Sequence, residues 1–154
     1  KSDSKKFRSR LNAALKTAKG LKGADKNKIA AIGYCFGGTG ALELYRSGAD
    51  VKGVISFHGG LGSKEPLTKK AKSSAKVLVL HGADDPYVPA AEVAGFENEM
   101  RKAGADWQLV SYGNAVHSFT EKAAGNDNSK GAAYNENADK RSFEAMKSFF
   151  AEIF

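Results

Sequence analysis

The chain has one cysteine and three prolines among 154 residues, and no apolar run near the roughly 20 residues that cross a bilayer. A single cysteine excludes an internal disulfide, and a lone thiol suits a reducing compartment, so we expect a cytoplasmic protein. The 17 glycines follow no collagen period. With 42% hydrophobic residues, the chain is long enough for one core, which predicts a single domain over residues 1–154.

The positive charge is concentrated at one end of the chain. Residues 1–28 hold ten Lys or Arg and two Asp, whereas the rest holds 14 basic and 15 acidic side chains. Apolar residues from Phe7 to Leu21 recur at helical spacing with lysines opposite, which predicts a docked helix with a solvated basic face. Nucleic-acid binding is the weaker alternative, because aromatic side chains are not interleaved with these lysines. We therefore expect no nucleic-acid partner and no membrane partner.

Apolar runs alternate with helical patterns over the rest of the chain. Strands are predicted at 28–34, 51–57, 76–81 and 106–112, and helices at 37–47, 90–103 and 138–154. The last helix is predicted to turn Phe143 inward. Strands separated by helices imply an α/β architecture, a mostly parallel sheet with helices on both faces.

Reactive side chains gather where these strands end, at the edge of the sheet on which the loops of an α/β fold converge. The first strand is followed by G-x-C-x-G, Gly33 to Gly37, where a strand must turn sharply into a helix. Cys35 would then lie at a helix N-terminus, whose unpaired N–H groups and dipole favour the thiolate. The backbone N–H of Phe36 would face the oxyanion that forms when this sulfur attacks a carbonyl.

A nucleophile on such a turn needs a base, and the base needs an orienting acid, in the chain order nucleophile, acid, histidine. The loop after the third predicted strand supplies Asp84 or Asp85, and the loop after the fourth supplies His117. A cysteine, an aspartate and a histidine follow three strands in this order along the chain, which favours a catalytic triad over a chance occurrence of the five-residue motif.

Two further side chains are candidates for substrate contact. Tyr34 stands beside Cys35, and a core position is an equal alternative for it. His58 ends the second strand and would line the pocket, although a histidine before Gly59 and Gly60 is more often a structural turn residue.

Five segments of the chain resemble the dienelactone hydrolase family of α/β-hydrolases. They are GYCFGG at 33–38, SFHGGL at 56–61, HGADDPYVP at 81–89, HSF at 117–119 and AYNENADKRSFEAMKSFF at 133–150. The resemblance implies that Cys35 is the nucleophile, that His117 is the histidine, and that Asp85, which precedes x-x-V-P, is the acid. It also implies activity on esters and lactones.

The chain departs from this family in two ways. Members carry further strands before the nucleophile's strand, so the resemblance implies that one neighbour of that strand is missing. We expect something to cover the bare apolar edge, either an N-terminal segment, an exchanged element or a second copy. Glu121 stands near the place where dienelactone-cleaving members carry an arginine that grips the substrate carboxylate. A carboxylate there predicts that neutral substrates are preferred.

The sequence therefore predicts an ester or lactone hydrolase that acts through acylation of Cys35. Neither a metal nor an organic cofactor is expected, because the histidines lack ligand spacing and no phosphate-cradling loop follows a strand. The rival prediction is a noncatalytic fragment or subunit that keeps the fold as a binding or assembly module.

Overall fold

The structure is a computed structural model that describes residues 4–154, in which four α-helices and four strands form one layered unit. The elements in chain order are α1 (Ser4–Gly20), β1 (Ala30–Tyr34), α2 (Phe36–Arg46), β2 (Gly53–Phe57), β3 (Lys76–Gly82), α3 (Ala90–Ala103), β4 (Trp107–Tyr112) and α4 (Glu136–Ile153). The four strands and three helices predicted with bounds are present, and their ends differ from the predicted ends by at most two residues. The bounds of α3 agree at both ends, whereas α1 begins three residues before Phe7, the first residue of its apolar pattern.

The four strands form one sheet in the order β1-β2-β3-β4, and every neighbouring pair is parallel. The predicted α/β architecture is confirmed. Because the strands run in one direction, all four carboxyl ends lie at the same edge of the sheet, and the loops after β1, β2, β3 and β4 meet there.

Side chains of the sheet alternate between two apolar clusters, one on each face. On β2, Val54 packs with α2 and α3, whereas Ile55 packs with α4 on the opposite face. Both side chains are fully buried. Burial on both faces explains why the strands read as continuous apolar runs rather than alternating ones.

Helix α1 docks against α2 through apolar side chains, as its spacing predicts. Leu11 and Leu15 pack against the cluster that contains α2, and the ring of Phe7 stacks on Phe36 with centroids 5.0 Å apart. The inward placement of Leu21 and of Phe143 is wrong, since both side chains are exposed. Leu21 follows the last residue of α1, and Phe143 lies on the solvent side of α4 beneath the Lys147 ammonium.

Strand β1 lies at an edge of the sheet, where it pairs with β2 alone among the described strands. Ile32 and Tyr34 are 48% and 43% exposed along it, and the neighbouring Phe36 is 68% exposed. The predicted apolar edge is therefore present. Within residues 4–154, no helix is long and apolar enough to cross a membrane.

Candidate active site

Cys35 occupies a strained turn between β1 and α2. Its φ of 50° and ψ of −121° are unusual for a residue with a Cβ atom, and its backbone N–H is tied to the Phe57 carbonyl at 3.0 Å. The turn is so tight that position 33 must be glycine, because a Cβ atom there would lie 2.0 Å from the Gly37 carbonyl oxygen. The predicted sharp turn from strand to helix is thus formed, with the sulfur at the N-terminus of α2.

His117 and Asp85 meet at this same edge of the sheet. His117 Nδ1 lies 2.9 Å from Asp85 Oδ2, and the other oxygen, Oδ1, accepts a hydrogen bond from the Tyr87 backbone N–H at 2.8 Å. The Asp85 side chain is fully buried, whereas Asp84 is exposed. Of the two aspartates that the sequence offered, Asp85 is the one that contacts the histidine.

The sulfur of Cys35 lies close to His117 and His58. Sγ, one ring nitrogen of His117 and one of His58 all lie within 4.8 Å of one another. Since Nδ1 of His117 is engaged by Asp85, Nε2 is the nitrogen left for the thiol. The thiol, the carboxylate and the imidazole belong to residues 35, 85 and 117, which are far apart in the chain.

His58 contacts the sulfur directly. Its Nδ1 lies 3.4 Å from Cys35 Sγ and 3.3 Å from the Cys35 backbone nitrogen, and its Nε2 lies 2.8 Å from Thr120 Oγ1. A backbone N–H can only donate, so Nδ1 accepts and Nε2 carries the proton. Burial lowers the pKa of His58 to about 4, and the nearby His117 adds to the shift. His58 is therefore uncharged at neutral pH.

Backbone strain is concentrated around the sulfur. Four non-glycine residues among those described have positive φ, and Cys35, His58 and Ser118 are three of them. Ser118 Oγ lies 3.5 Å from Cys35 Sγ. Left-handed conformations cost energy outside glycine and persist where the surrounding structure holds them, often at functional sites.

An open cavity of about 380 Å³ adjoins the sulfur. It is lined by Tyr34, Cys35, His58, Ser118, Thr120, Glu121 and Asp139. The three predicted substrate-contact residues, Tyr34, His58 and Glu121, therefore all border it. No Lys or Arg is among the lining residues, so its two carboxylates make the cavity acidic, and burial together with Asp139 raises the pKa of Tyr34.

The ring of Phe36 lies away from the cavity beside Cys35. It stacks on Phe7 of α1. Phe36 is also the first residue of α2, where backbone N–H groups have no partner within the helix. This N–H is the donor predicted for the oxyanion.

Sequence reasoning missed three residues of the site: Ser118, Thr120 and Asp139. Ser118 and Thr120 flank the phenylalanine of the HSF segment, so their closeness to His117 in the chain was a usable signal. Asp139 lies on α4, and nothing in the local sequence indicates that this helix reaches the cavity.

The whole chain, residues 1–154, matches the sequence profile described as the Dienelactone hydrolase family. The chain belongs to this family. It is 37% identical over 150 residues to an uncharacterized protein of Caenorhabditis elegans, with 97% of this chain and 95% of that protein covered.

Two solved structures of this family's type also match. A dienelactone hydrolase-like promiscuous phosphotriesterase from metagenomic libraries is 42% identical with a TM-score of 0.85, and the match covers 96% of this chain and 62% of that one. The structure of m3DLH is 41% identical with a TM-score of 0.89, and the match covers 97% of this chain and 62% of that one. The chain thus spans less than two thirds of these two relatives.

Proposed function

We propose that the protein hydrolyses small esters or lactones through a covalent acyl-enzyme on Cys35. Membership of the dienelactone hydrolase family indicates this class of bond. One observation carries the assignment to residues: a sulfur on a strained turn, an imidazole nitrogen within 4.8 Å of it, and a buried carboxylate 2.9 Å from Nδ1 of that imidazole.

In the first half of the proposed reaction, His117 Nε2 takes the thiol proton as Cys35 Sγ attacks the carbonyl carbon. Asp85 holds the Nδ1–H and stabilises the imidazolium that forms. The carbonyl oxygen becomes an oxyanion that accepts a hydrogen bond from the Phe36 N–H. When the tetrahedral adduct collapses, the ester C–O bond breaks and the alkoxide leaves with the proton from His117, which produces a thioester.

The second half returns the enzyme to its resting state. A water molecule gives its proton to His117 Nε2 and attacks the thioester carbon, again through an oxyanion at the Phe36 N–H. The C–S bond breaks, the carboxylic acid departs, and the proton on His117 returns to the sulfur. No electrons are transferred, and each proton taken by the imidazole is given back.

His58 is the second imidazole beside the sulfur, and we assign it a positioning role. Its unprotonated Nδ1 accepts a hydrogen bond from the resting thiol at 3.4 Å, while Thr120 holds the opposite nitrogen. An uncharged ring gives the thiolate no counter-charge. The base of the reaction is therefore the imidazole that a carboxylate supports, His117.

The acidic cavity favours neutral over anionic substrates. Glu121 and Asp139 border the space that the acyl or alcohol group would fill. Dienelactone carries a carboxylate, which would be repelled by both side chains. Neutral short-chain esters and lactones are the substrate class that fits this cavity.

Replacing the sulfur tests the proposal. We expect Cys35→Ala to abolish turnover of a neutral short acyl ester without changing the thermal unfolding of the protein, because the side chain is small and only half-buried. Ser148→Ala, an exposed change on α4, is the matched control and should retain full activity. Wild-type turnover in Cys35→Ala would refute the assignment.

The exposed edge of β1 favours the rival function as an assembly module. Ile32, Tyr34 and Phe36 present apolar surface beside unpaired strand backbone, which is a template for another strand. We propose that a second copy of the chain or an additional segment covers this edge. Light scattering that shows a lone monomer of 16.3 kDa at high protein concentration would contradict this.

A further inference from the structure

We propose that Cys35, His58 and His117 also form a binding site for a thiophilic divalent cation such as Zn²⁺, and that its binding reversibly blocks the nucleophile. Thiolate and imidazole are the ligands that Zn²⁺ takes most often in proteins. The proposal shares Cys35 and His117 with the proposed hydrolysis, but it concerns binding, which can be measured without substrate.

The spacing of the ligand atoms suits this ion. With Zn–S near 2.3 Å and Zn–N near 2.0 Å, a tetrahedral site needs about 3.6 Å between sulfur and nitrogen. Cys35 Sγ and His58 Nδ1 are 3.4 Å apart. The nitrogen of His117 lies within 4.8 Å of both, so a side-chain movement of roughly 1 Å would bring the third ligand into place.

Both imidazoles are held with the correct nitrogen towards the sulfur. Asp85 accepts the Nδ1–H of His117, and Thr120 accepts the Nε2–H of His58, so each ring has its lone pair on the nitrogen that remains. A zinc-binding histidine characteristically donates the N–H of its other ring nitrogen to an acceptor, often a carboxylate, which holds the ring in this way. The Cys35 backbone N–H also bonds to the Phe57 carbonyl, so it keeps a partner when Nδ1 binds the cation.

The surroundings favour a cation and leave room for a fourth ligand. Glu121 and Asp139 line the adjoining cavity, and their charges raise the local concentration of cations. Binding forms an S–Zn bond and releases the thiol proton to solvent, with no change of oxidation state. Water from the cavity would fill the remaining position. The sulfur could then no longer attack a carbonyl, and His117 could no longer accept a proton.

Cobalt offers a direct readout, because Co²⁺ takes the same geometry and shows a thiolate-to-metal charge-transfer band. We expect titration of the apoprotein with Co²⁺ to produce this band with a stoichiometry of one ion per chain, and Zn²⁺ to remove it by displacement. Cys35→Ala should abolish the band. In a parallel assay, Zn²⁺ should inhibit ester hydrolysis and a chelator should restore it.

Two variants separate a three-ligand site from a lone thiol that collects metal. His58→Asn keeps a residue that tolerates the positive φ of this position and should weaken the affinity for Co²⁺ by at least about 10-fold. Thr120→Val removes only the hydrogen bond to Nε2 and should weaken it by about 10- to 100-fold, as outer-shell changes do. Ser148→Ala serves again as the unaffected control.

These results test the metal site independently of the proposed hydrolysis. Absence of the band in wild-type protein, or an unchanged affinity in both His58→Asn and Thr120→Val, would overturn the metal site even if the protein hydrolyses esters. A band that depends on His58 and Thr120 would support the site even if no ester is turned over.

Discussion

Two polar clusters in this fold differ in how completely their side chains are paired. In the first, Arg46 of α2 is wholly buried, and its guanidinium reaches Glu43, Glu99 and the Leu61 carbonyl at 2.6 to 3.0 Å. The second consists of Cys35, His58, Asp85, His117 and Ser118. Among residues 4–154, the hydrogen-bond contacts of its sulfur are long, 3.4 and 3.5 Å, and Cys35, His58 and Ser118 have positive φ. One cluster has its charges compensated, whereas the other is strained and left able to react.

The compensated cluster ties three helices together. Arg8 of α1 donates to Glu43 of α2 at 2.7 Å, and Arg46 passes the network on to Glu99 of α3. Part of the basic character of α1 is therefore used in docking rather than in binding a partner. The comparison teaches that burial of charge alone does not identify a reactive site, and that strain and incomplete pairing do.

The largest effect is expected inside the strained cluster. Asp85→Asn preserves the shape of the side chain but removes the charge that supports His117, and it lets the imidazole adopt the wrong tautomer. We expect kcat for a neutral short acyl ester to fall by about 10⁴-fold, with the unfolding temperature little changed. A loss of less than tenfold would show that His117 does not depend on this carboxylate.

A substitution in the compensated cluster around Arg46 should lower the stability of the fold rather than kcat. Arg46→Ala leaves Glu99 buried without a cationic partner and leaves Glu43 with Arg8 alone, so we expect the free energy of unfolding in urea to fall by about 3 to 5 kcal/mol. The matched control is Arg101→Ala, which breaks an exposed pair with Glu97 on α3 and should cost less than about 1 kcal/mol. Equal losses of unfolding free energy in Arg46→Ala and Arg101→Ala would show that the buried network stabilises the fold no more than an exposed ion pair does.

A smaller effect, on substrate preference, is expected from a substitution in the cavity beside Cys35. Glu121→Gln removes one of the two lining carboxylates, and we expect the ratio of kcat/KM for neutral over anionic esters to fall by a few-fold, since the site is open to screening water. Glu144→Gln, an exposed change on α4 outside the cavity lining, is the control. An unchanged ratio in Glu121→Gln would mean that this side chain does not face the substrate.

Local sequence patterns predicted the bounds of a helix well where residues that begin or end helices stand beside it. Helix α3 has its predicted bounds because Pro89 precedes it and Gly104 ends it in a left-handed conformation. The prediction was wrong for Leu21 and Phe143, since apolar periodicity does not show where a helix stops touching its neighbours.

The site was predictable where a residue follows directly from a strand end. Cys35, Asp85 and His117 each follow a strand, so the parallel topology alone brings them to one edge. The approach of Asp139 from α4 and the Arg46 network join residues far apart in the chain. Such contacts depend on how helices pack on the sheet, which spacing along the sequence does not specify.

Trapping the covalent intermediate tests the central claim most directly. Protein mixed with an activated short acyl ester is quenched in acid within the first turnover, digested and analysed by mass spectrometry. We predict one acyl group per chain on the peptide that contains Cys35, and none in Cys35→Ala. Turnover by the wild-type protein with the acyl group on another residue, or undiminished turnover by Cys35→Ala, would contradict the account.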